Sequence, residues 1–158
     1  MHQLTRVTGI IRRNLDFSKT SAMAFLDIEK AFDNVWHDGL VFKLHRCNFP
    51  MYLIMIIKNY LSGRTFQVFL NNTTSIEMTV GAGVPRGSIL GPILFNIFTS
   101  DIPPLPDGGV LSLFADDTAV AYKGRIIRPL VAKLQKGLDV LAEYFANWKV
   151  CINVTSPK

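Results

Sequence analysis

The chain has 158 residues, of which 49% are hydrophobic, and it carries a formal net charge of +5. This length and apolar fraction suit one folded domain and exclude a disordered tail. The positive charge is compatible with a polyanionic partner, although many basic domains without such a partner have a similar excess.

The cysteines and the apolar segments exclude several other classes of protein. Cys47 and Cys151 are far apart and have no histidine at metal-ligand spacing, so neither a disulfide framework nor a zinc site is predicted. The opening MHQLTRVTGIIRRN is too interrupted by charge for a signal peptide, and the apolar run FPMYLIMII ends at Lys58, well short of a membrane span. We therefore expect a soluble intracellular protein that does not enter a membrane.

The first half of the chain is predicted to contain helices around one short strand. Hydrophobic periodicity indicates an opening helix over residues 4–15, a buried strand over residues 21–28 and a helix over residues 36–47. A further helix over residues 50–62 ends at Gly63. Its predicted core face consists of Leu53, Ile54, Ile57, Tyr60 and Leu61.

Two hairpins and a glycine-rich loop follow. Apolar residues that alternate on both sides of Asn71 and Asn72 predict a hairpin over residues 66–80 with one buried face. The segment that begins GAGVPRG then passes from a loop into a short apolar helix, which is ended by prolines. VLSLFADDTAVAYKG predicts a second hairpin with Asp116 and Asp117 at or beside its turn.

The last elements are an amphipathic helix and a strand, KVCINV. Gly137 inside this helix costs about 1 kcal/mol relative to alanine, so the apolar stripe of the helix must be packed. Strands interrupted by helices and joined by hairpins predict an α+β fold, an antiparallel sheet with helices packed on one face and the other face free for a ligand. The stripe consists of Leu130, Leu134, Leu138, Leu141, Phe145 and Trp148.

Acidic residues recur at the ends of predicted strands. Asp27 closes one strand, and Glu29 and Asp33 follow it. A single acid at such a junction is usually a helix cap or a turn residue, and an Asp-Asp pair at a hairpin tip is commonly a turn. If the strand that ends at Asp27 lies beside the hairpin of Asp116 and Asp117, however, three carboxylates converge and their repulsion favours bound cations. Such oxygen ligands suit Mg²⁺ or Mn²⁺, and two of these ions support phosphoryl transfer.

The segment GVPRGSILGP lies between the two acidic stretches. Its glycines permit close approach of the backbone to a ligand, and the start of the following helix presents N–H groups to anions. Glycines in a turn before a helix are also ordinary structure, so the segment alone does not identify a substrate loop.

Three motifs together resemble a known family. AFLDIEKAFDNVWH, GVPRGSILGPILFNIFTSDIP and LSLFADDTAVAY resemble the three consecutive palm motifs of reverse transcriptases, specifically those of jockey-like non-LTR retrotransposons. HQLTRV, YLSGRTFQV and WKVCINV resemble flanking blocks of the same family, so the resemblance covers nearly the whole chain. It implies a single polymerase palm domain over residues 1–158, incomplete because fingers and thumb have no room, from a longer polyprotein.

The resemblance also implies a metal site. Asp27 and Asp116 would bind two catalytic Mg²⁺ ions, or Mn²⁺, and Asp117 would complete the acidic cluster. The backbone carbonyl of Ile28 would be an additional ligand.

The implied nucleotide pocket contains Phe32, Arg86 and Gly87. Phe32 matches the aromatic position that blocks a ribose 2′-hydroxyl, although a core aromatic on the helix after the strand is an alternative reading. Arg86 departs from the family, which usually has glutamine there; a guanidinium can contact phosphate but is longer and permanently charged. The change is either tolerated or a sign of decay. Asn153 and Lys158 match an Asn and a Lys of the last block at a shifted interval, so Lys158 is given no role.

The implied function is RNA-directed DNA polymerisation, a two-metal nucleotidyl transfer to a primer 3′-hydroxyl. The implied partners are an RNA template, a DNA primer, deoxynucleoside triphosphates and the rest of a retrotransposon polyprotein, in an element ribonucleoprotein of cytoplasm and nucleus. Two alternatives are a catalytically inactive nucleic-acid-binding or assembly remnant and a palm-type nucleotidyl cyclase. The GVPRGS segment and the AFLDIEKAFD context argue against the cyclase.

Overall fold

The computed structural model describes residues 20–114 and 117–153, without the side chains of Phe114 and Asp117. The helix predicted over residues 4–15 lies outside the described residues. Contacts divide the chain into two compact units, one formed by Met1–Lys30 with Ile102–Lys158 and the other by Ala31–Asp101. We call these the sheet unit and the helical unit.

The secondary structure has the predicted α+β character, with four α-helices and antiparallel strands among the described residues. In chain order the elements are β1 (Thr20–Ile28), α1 (His37–Arg46), α2 (Met51–Leu61), β2 (Thr65–Phe66), β3 (Phe69–Leu70), β4 (Thr73–Thr74), β5 (Met78–Thr79), α3 (Leu90–Phe98), a 3₁₀ turn (Pro106–Gly108), β6 (Val110–Phe114), β7 (Asp117–Gly124), α4 (Ile127–Asn147) and β8 (Ile152–Asn153).

The sheet unit is a four-stranded antiparallel sheet in the order β6-β7-β1-β8, with α4 packed against β7 and β1. Alternate residues of a strand face opposite sides, and Tyr122 of β7 contacts Gly137 of α4, so Thr118 and Val120 also face the helix. All three strand residues are at most 3% exposed. Burial raises the pKa of Tyr122, and the Asp107 carboxylate adds to the shift.

Helix α4 confirms the predicted amphipathic pattern. Leu130, Gly137, Leu141 and Phe145 are buried, and the charged residues of the helix lie mostly on its exposed side. At 21 residues it is the longest described helix. No helix within the described ranges combines the length and the apolar character needed to cross a membrane.

In the helical unit, α1 packs against α2 and α3. The predicted core face of α2 is confirmed, because its five residues are buried or half-buried while their neighbours on the helix are exposed. A charge also lies in this core: Lys43 is 2% exposed, donates to the Phe98 carbonyl and forms an ion pair with Asp101 at 2.5 Å. Burial lowers the pKa of Lys43, although Asp101 opposes the shift.

The hairpin predicted over residues 66–80 consists of two short ladders, β2 with β5 and β3 with β4. Residues 65–79 are all exposed, so the prediction of one buried face is wrong. Alternation of apolar residues shows that a face favours burial, but burial also requires a surface to pack against. The described residues do not cover either face of this hairpin.

Candidate functional site

Strand pairing brings the two acidic motifs of the sheet unit together. In the β1–β7 pair Asp27 lies directly opposite Asp117, and Asp117 also pairs with Phe114 at the end of β6. Directly opposed residues of antiparallel strands have Cα atoms about 4.5–5.5 Å apart. The condition for converging carboxylates, that the strand of Asp27 lies beside the second hairpin, is therefore met. Asp116 and the carboxylate of Asp117 lie outside the described residues.

Strand β8 reaches Asp27 from its other side. Asn153 is the strand partner of Asp27, and its Nδ2 donates a hydrogen bond of 3.1 Å to Asp27 Oδ2. The pairing continues with a bond of 2.9 Å from the Glu29 N–H to the Cys151 carbonyl. Asn153 thus restricts the rotation of the carboxylate and leaves Oδ1 for another partner. The sequence motif indicated Asn153 but not this contact.

The donor chemistry at Asp27 suits a hard cation. Its carboxylate is exposed, receives an amide hydrogen bond and forms no ion pair with a described lysine or arginine. Among the described side chains, which do not include those of Asp116 and Asp117, no group of three His, Cys, Asp or Glu residues could hold a metal. Ile28 is buried, and the role of its carbonyl stays a prediction.

Phe25 is an exposed neighbour of Asp27 that the sequence did not indicate. It lies two residues earlier on β1 and therefore on the same face, about 7 Å away along the strand. Its side chain is 74% exposed, although the run AFLDI predicts a buried strand. A continuous apolar run does not reveal which of its residues face the helix, and here Phe25 faces the side opposite α4.

In the helical unit, the glycine-rich loop is attached to the segment after β1 by backbone hydrogen bonds. The Gly83 N–H donates to the Val35 carbonyl at 2.8 Å, and the Val84 N–H donates to the Phe32 carbonyl at 2.7 Å. Gly83 has φ of +87°, and a Cβ there would lie 2.5 Å from the Asp33 carbonyl oxygen. Only glycine fits this close approach.

Two side chains reinforce the same attachment. Both His37 Nε2 and Arg64 Nη1 lie 2.8 Å from the carbonyl oxygen of Gly83. For His37 the contact requires that Nε2 carries the proton. The loop therefore has a defined position relative to residues 32–37.

Arg86 forms a bidentate ion pair with Asp33. Its Nε donates to Oδ1 at 3.0 Å and its Nη2 donates to Oδ2 at 2.5 Å. The side chains are 64% and 45% exposed, respectively. The next residue, Gly87, has φ of +74°, and beyond its two chain neighbours a Cβ there would meet no atom of the described part of the chain within 4 Å. The sequence indicated Arg86 and Gly87, but nothing in it identified Asp33 as the partner.

Phe32 and the start of α3 complete this part of the helical unit. Phe32 lies in the turn between β1 and α1, so the prediction that it lies on a helix is wrong. Its half-buried ring lies 5.2 Å from the Phe95 ring, a contact that suits either a packed aromatic or a rigid steric gate. Ser88 caps α3, because its Oγ accepts from the Gly91 N–H and donates to the Pro85 carbonyl, both at 2.9 Å. The helix therefore holds the end of the glycine-rich loop.

Residues 4–155 match the family described as reverse transcriptase (RNA-dependent DNA polymerase). The chain is 39% identical over 158 residues to the RNA-directed DNA polymerase from mobile element jockey of Drosophila melanogaster. The match covers 96% of this chain and 17% of that protein.

Two further relatives come from the same fly. The chain is 36% identical to the probable RNA-directed DNA polymerase from transposon X-element and 35% identical to that from transposon BS, with 97% of the chain covered in each case. The chain spans 17–18% of the length of these relatives.

Proposed function

Because the chain belongs to the reverse transcriptase (RNA-dependent DNA polymerase) family, we propose that it is part of an RNA-directed DNA polymerase of a non-LTR retrotransposon. The reaction is attack of a primer 3′-hydroxyl on a deoxynucleoside triphosphate, with release of pyrophosphate. The main structural support is the register that sets Asp27 opposite Asp117. A two-metal nucleotidyl transferase requires carboxylates that converge on its ions, and pairing of neighbouring strands is one way to bring them together.

We assign Asp27, Asp116 and Asp117 as ligands of two Mg²⁺ ions, for which Mn²⁺ substitutes, with the Ile28 carbonyl as an additional ligand. When bound, such ions increase the acidity of the attacking hydroxyl and stabilise charge on the transferred phosphate. The described residues hold the Asp27 carboxylate in place. Asn153 orients it, as hydrogen-bonding partners of metal ligands commonly do.

We assign Phe32, Arg86 and Gly87 to the pocket of the incoming nucleotide. A side chain that excludes a ribose 2′-hydroxyl must be held rigidly, and the contact with Phe95 supports the ring of Phe32 in this way. Arg86 has an exposed guanidinium beside a glycine with an open side. These features support contact with the triphosphate.

The proposed partners are an RNA template, a DNA primer, deoxynucleoside triphosphates and the rest of a retrotransposon polyprotein. The net charge of +5 supports contact with polyanions. We place the protein in an element ribonucleoprotein of cytoplasm and nucleus.

The test is primer extension by a chimaera in which residues 4–155 replace the matching stretch of the jockey polymerase. On an RNA template with Mg²⁺, the chimaera should incorporate deoxynucleotides, and Asp27→Asn and Asp116→Asn should each reduce the rate about a hundredfold or more. The matched control is Asp139→Asn, an equal charge change at an exposed position of α4, which should retain the parent rate.

Equal incorporation by the parent and Asp116→Asn would exclude the metal assignment. An inert chimaera that still binds template and primer would instead support the inactive nucleic-acid-binding remnant. Saturable binding of a deoxynucleotide with Mn²⁺ to the 158-residue chain, absent in Asp27→Asn, provides an independent measurement of the metal site.

A further inference from the structure

We propose that Asp33 is a positioning residue, which holds the Arg86 guanidinium in one orientation so that its remaining N–H groups contact the phosphates of the incoming nucleotide. The inference rests on the proposed function and extends it to a residue that the motifs left without a role.

The hydrogen bonds of the pair determine which edge of the guanidinium is available. Nε and Nη2 of Arg86 both donate to the Asp33 carboxylate. Nη1 makes no hydrogen bond to another of the described residues. A guanidinium is planar, so two parallel bonds on one edge also set the direction of the other edge. Asp33 thus converts a long, flexible side chain into a directed donor.

The surroundings of the pair allow a ligand to approach. The Arg86 side chain is 64% exposed, and apart from Gly87 and its two chain neighbours no atom of the described residues lies within 4 Å of the place where a Gly87 Cβ would be. Carboxylate and phosphate oxygens both match the fork geometry of a guanidinium, and of these two groups a nucleotide carries only phosphate. A triphosphate is therefore the part of a nucleotide that this edge recognises.

Stability alone does not account for the pair. Exposed ion pairs contribute little to folding, and the loop is already attached through Gly83, Val84, His37 and Arg64. The backbone bonds already hold the segments of Asp33 and Arg86 together. What the ion pair adds is a fixed orientation of the Arg86 side chain. Orientation matters where the oriented group meets a ligand.

The experiment measures equilibrium binding of deoxythymidine triphosphate with Mn²⁺ to the 158-residue chain, with thymidine as the phosphate-free comparison. Asp33→Asn removes a negative charge, so charge alone predicts tighter binding of a triphosphate. Positioning predicts the opposite, a loss of about tenfold for the triphosphate and none for thymidine. Asp38→Asn is the matched control, an equal charge change at an exposed residue of the same unit.

Arg86→Lys and the double variant Asp33→Asn/Arg86→Lys test whether Asp33 acts through Arg86. Arg86→Lys keeps the charge but cannot form the bidentate pair, and it should also bind about tenfold more weakly. The double variant should bind no more weakly than Arg86→Lys alone, and Asp33→Glu should recover part of the affinity. Thermal unfolding of each variant shows that the chain is folded.

The outcomes separate the two proposals. Unchanged or tighter triphosphate binding by Asp33→Asn, with normal binding by the parent chain, would overturn the role of Asp33 and leave the proposed function standing. If the parent chain binds no triphosphate with Mn²⁺, the proposed function fails and the inference fails with it.

Discussion

Replacing Gly137 by alanine separates helix propensity from packing in the sheet unit. Gly137 lies inside the 21-residue helix α4, where alanine is normally more stable by about 1 kcal/mol. A Cβ at this position would lie 2.4 Å from Tyr122 Oη and 2.9 Å from its Cε2. Tyr122 is 3% exposed, so its ring has little room to move aside.

The clash is expected to outweigh the propensity gain. Overpacking of a core typically costs 1–3 kcal/mol, and a contact of 2.4 Å places Gly137→Ala at about 3 kcal/mol. Subtracting the gain of about 1 kcal/mol leaves a net loss of about 2 kcal/mol. For a chain of this length the loss lowers Tm by roughly 4–8 °C.

The measurement is urea unfolding of the 158-residue chain, followed by circular dichroism. Ala142→Gly, at an exposed position of α4, measures the local propensity difference without a clash. Tyr122→Phe should be neutral or slightly stabilising, because the buried Oη has no hydrogen-bond partner among the described residues. Adding Tyr122→Phe should relieve part of the Gly137→Ala loss. An increase in stability on Gly137→Ala alone would refute the packing argument.

Three further predictions concern the helix cap, the buried lysine and Asp27. Ser88→Ala removes the acceptor of the Gly91 N–H and should lower the free energy of unfolding by about 1 kcal/mol in urea titrations. Burial lowers the pKa of Lys43 below 10.5, so the folded chain loses this proton at a lower pH than the unfolded chain does. The free energy of unfolding should therefore rise with pH between the lowered pKa and 10.5, and this rise should be absent in Lys43→Met. Asn153→Ala frees the Asp27 carboxylate and should weaken Mn²⁺ binding about tenfold in calorimetric titrations.

Each of these predictions has a matched control on the same chain. Ser100→Ala removes a serine at the carboxyl end of α3, where the loss should be smaller than at the cap. Lys58→Met makes the same change of residue type at an exposed position of α2 and is the control for the loss of a lysine. Asn147→Ala, at the exposed end of α4, should leave Mn²⁺ affinity unchanged. If a test variant and its control give the same result, the role assigned to the corresponding contact is contradicted.

Local patterns predicted most of the elements because their causes are local. The period of α2 identified its buried face, and positive φ at Gly63 agrees with the predicted helix end. The hairpin of residues 66–80 shows the limit of such patterns. Its alternation is real, but exposure depends on what packs against it, and the described residues supply no such surface.

The candidate site likewise contains residues that the sequence indicated and partners that only the fold reveals. The motifs singled out Asp27 and Arg86 because their residue types and order resemble a known family. The partners of these residues, Asn153 and Asp33, are visible only in the fold, since Asn153 is separated from Asp27 by 126 positions and Asp33 from Arg86 by 53.

Residue type and spacing were enough to recognise the family, the α+β class, the helical periodicities and the acidic and glycine-rich motifs. The fold was needed to find the register that opposes Asp27 and Asp117, the exposure of Phe25 and the pairing of Arg86 with Asp33. Strand register and side-chain pairing depend on contacts between distant segments. The FADD motif of residues 114–117 is therefore recognisable in the sequence alone, whereas the position of its Asp117 opposite Asp27 depends on how β7 pairs with β1.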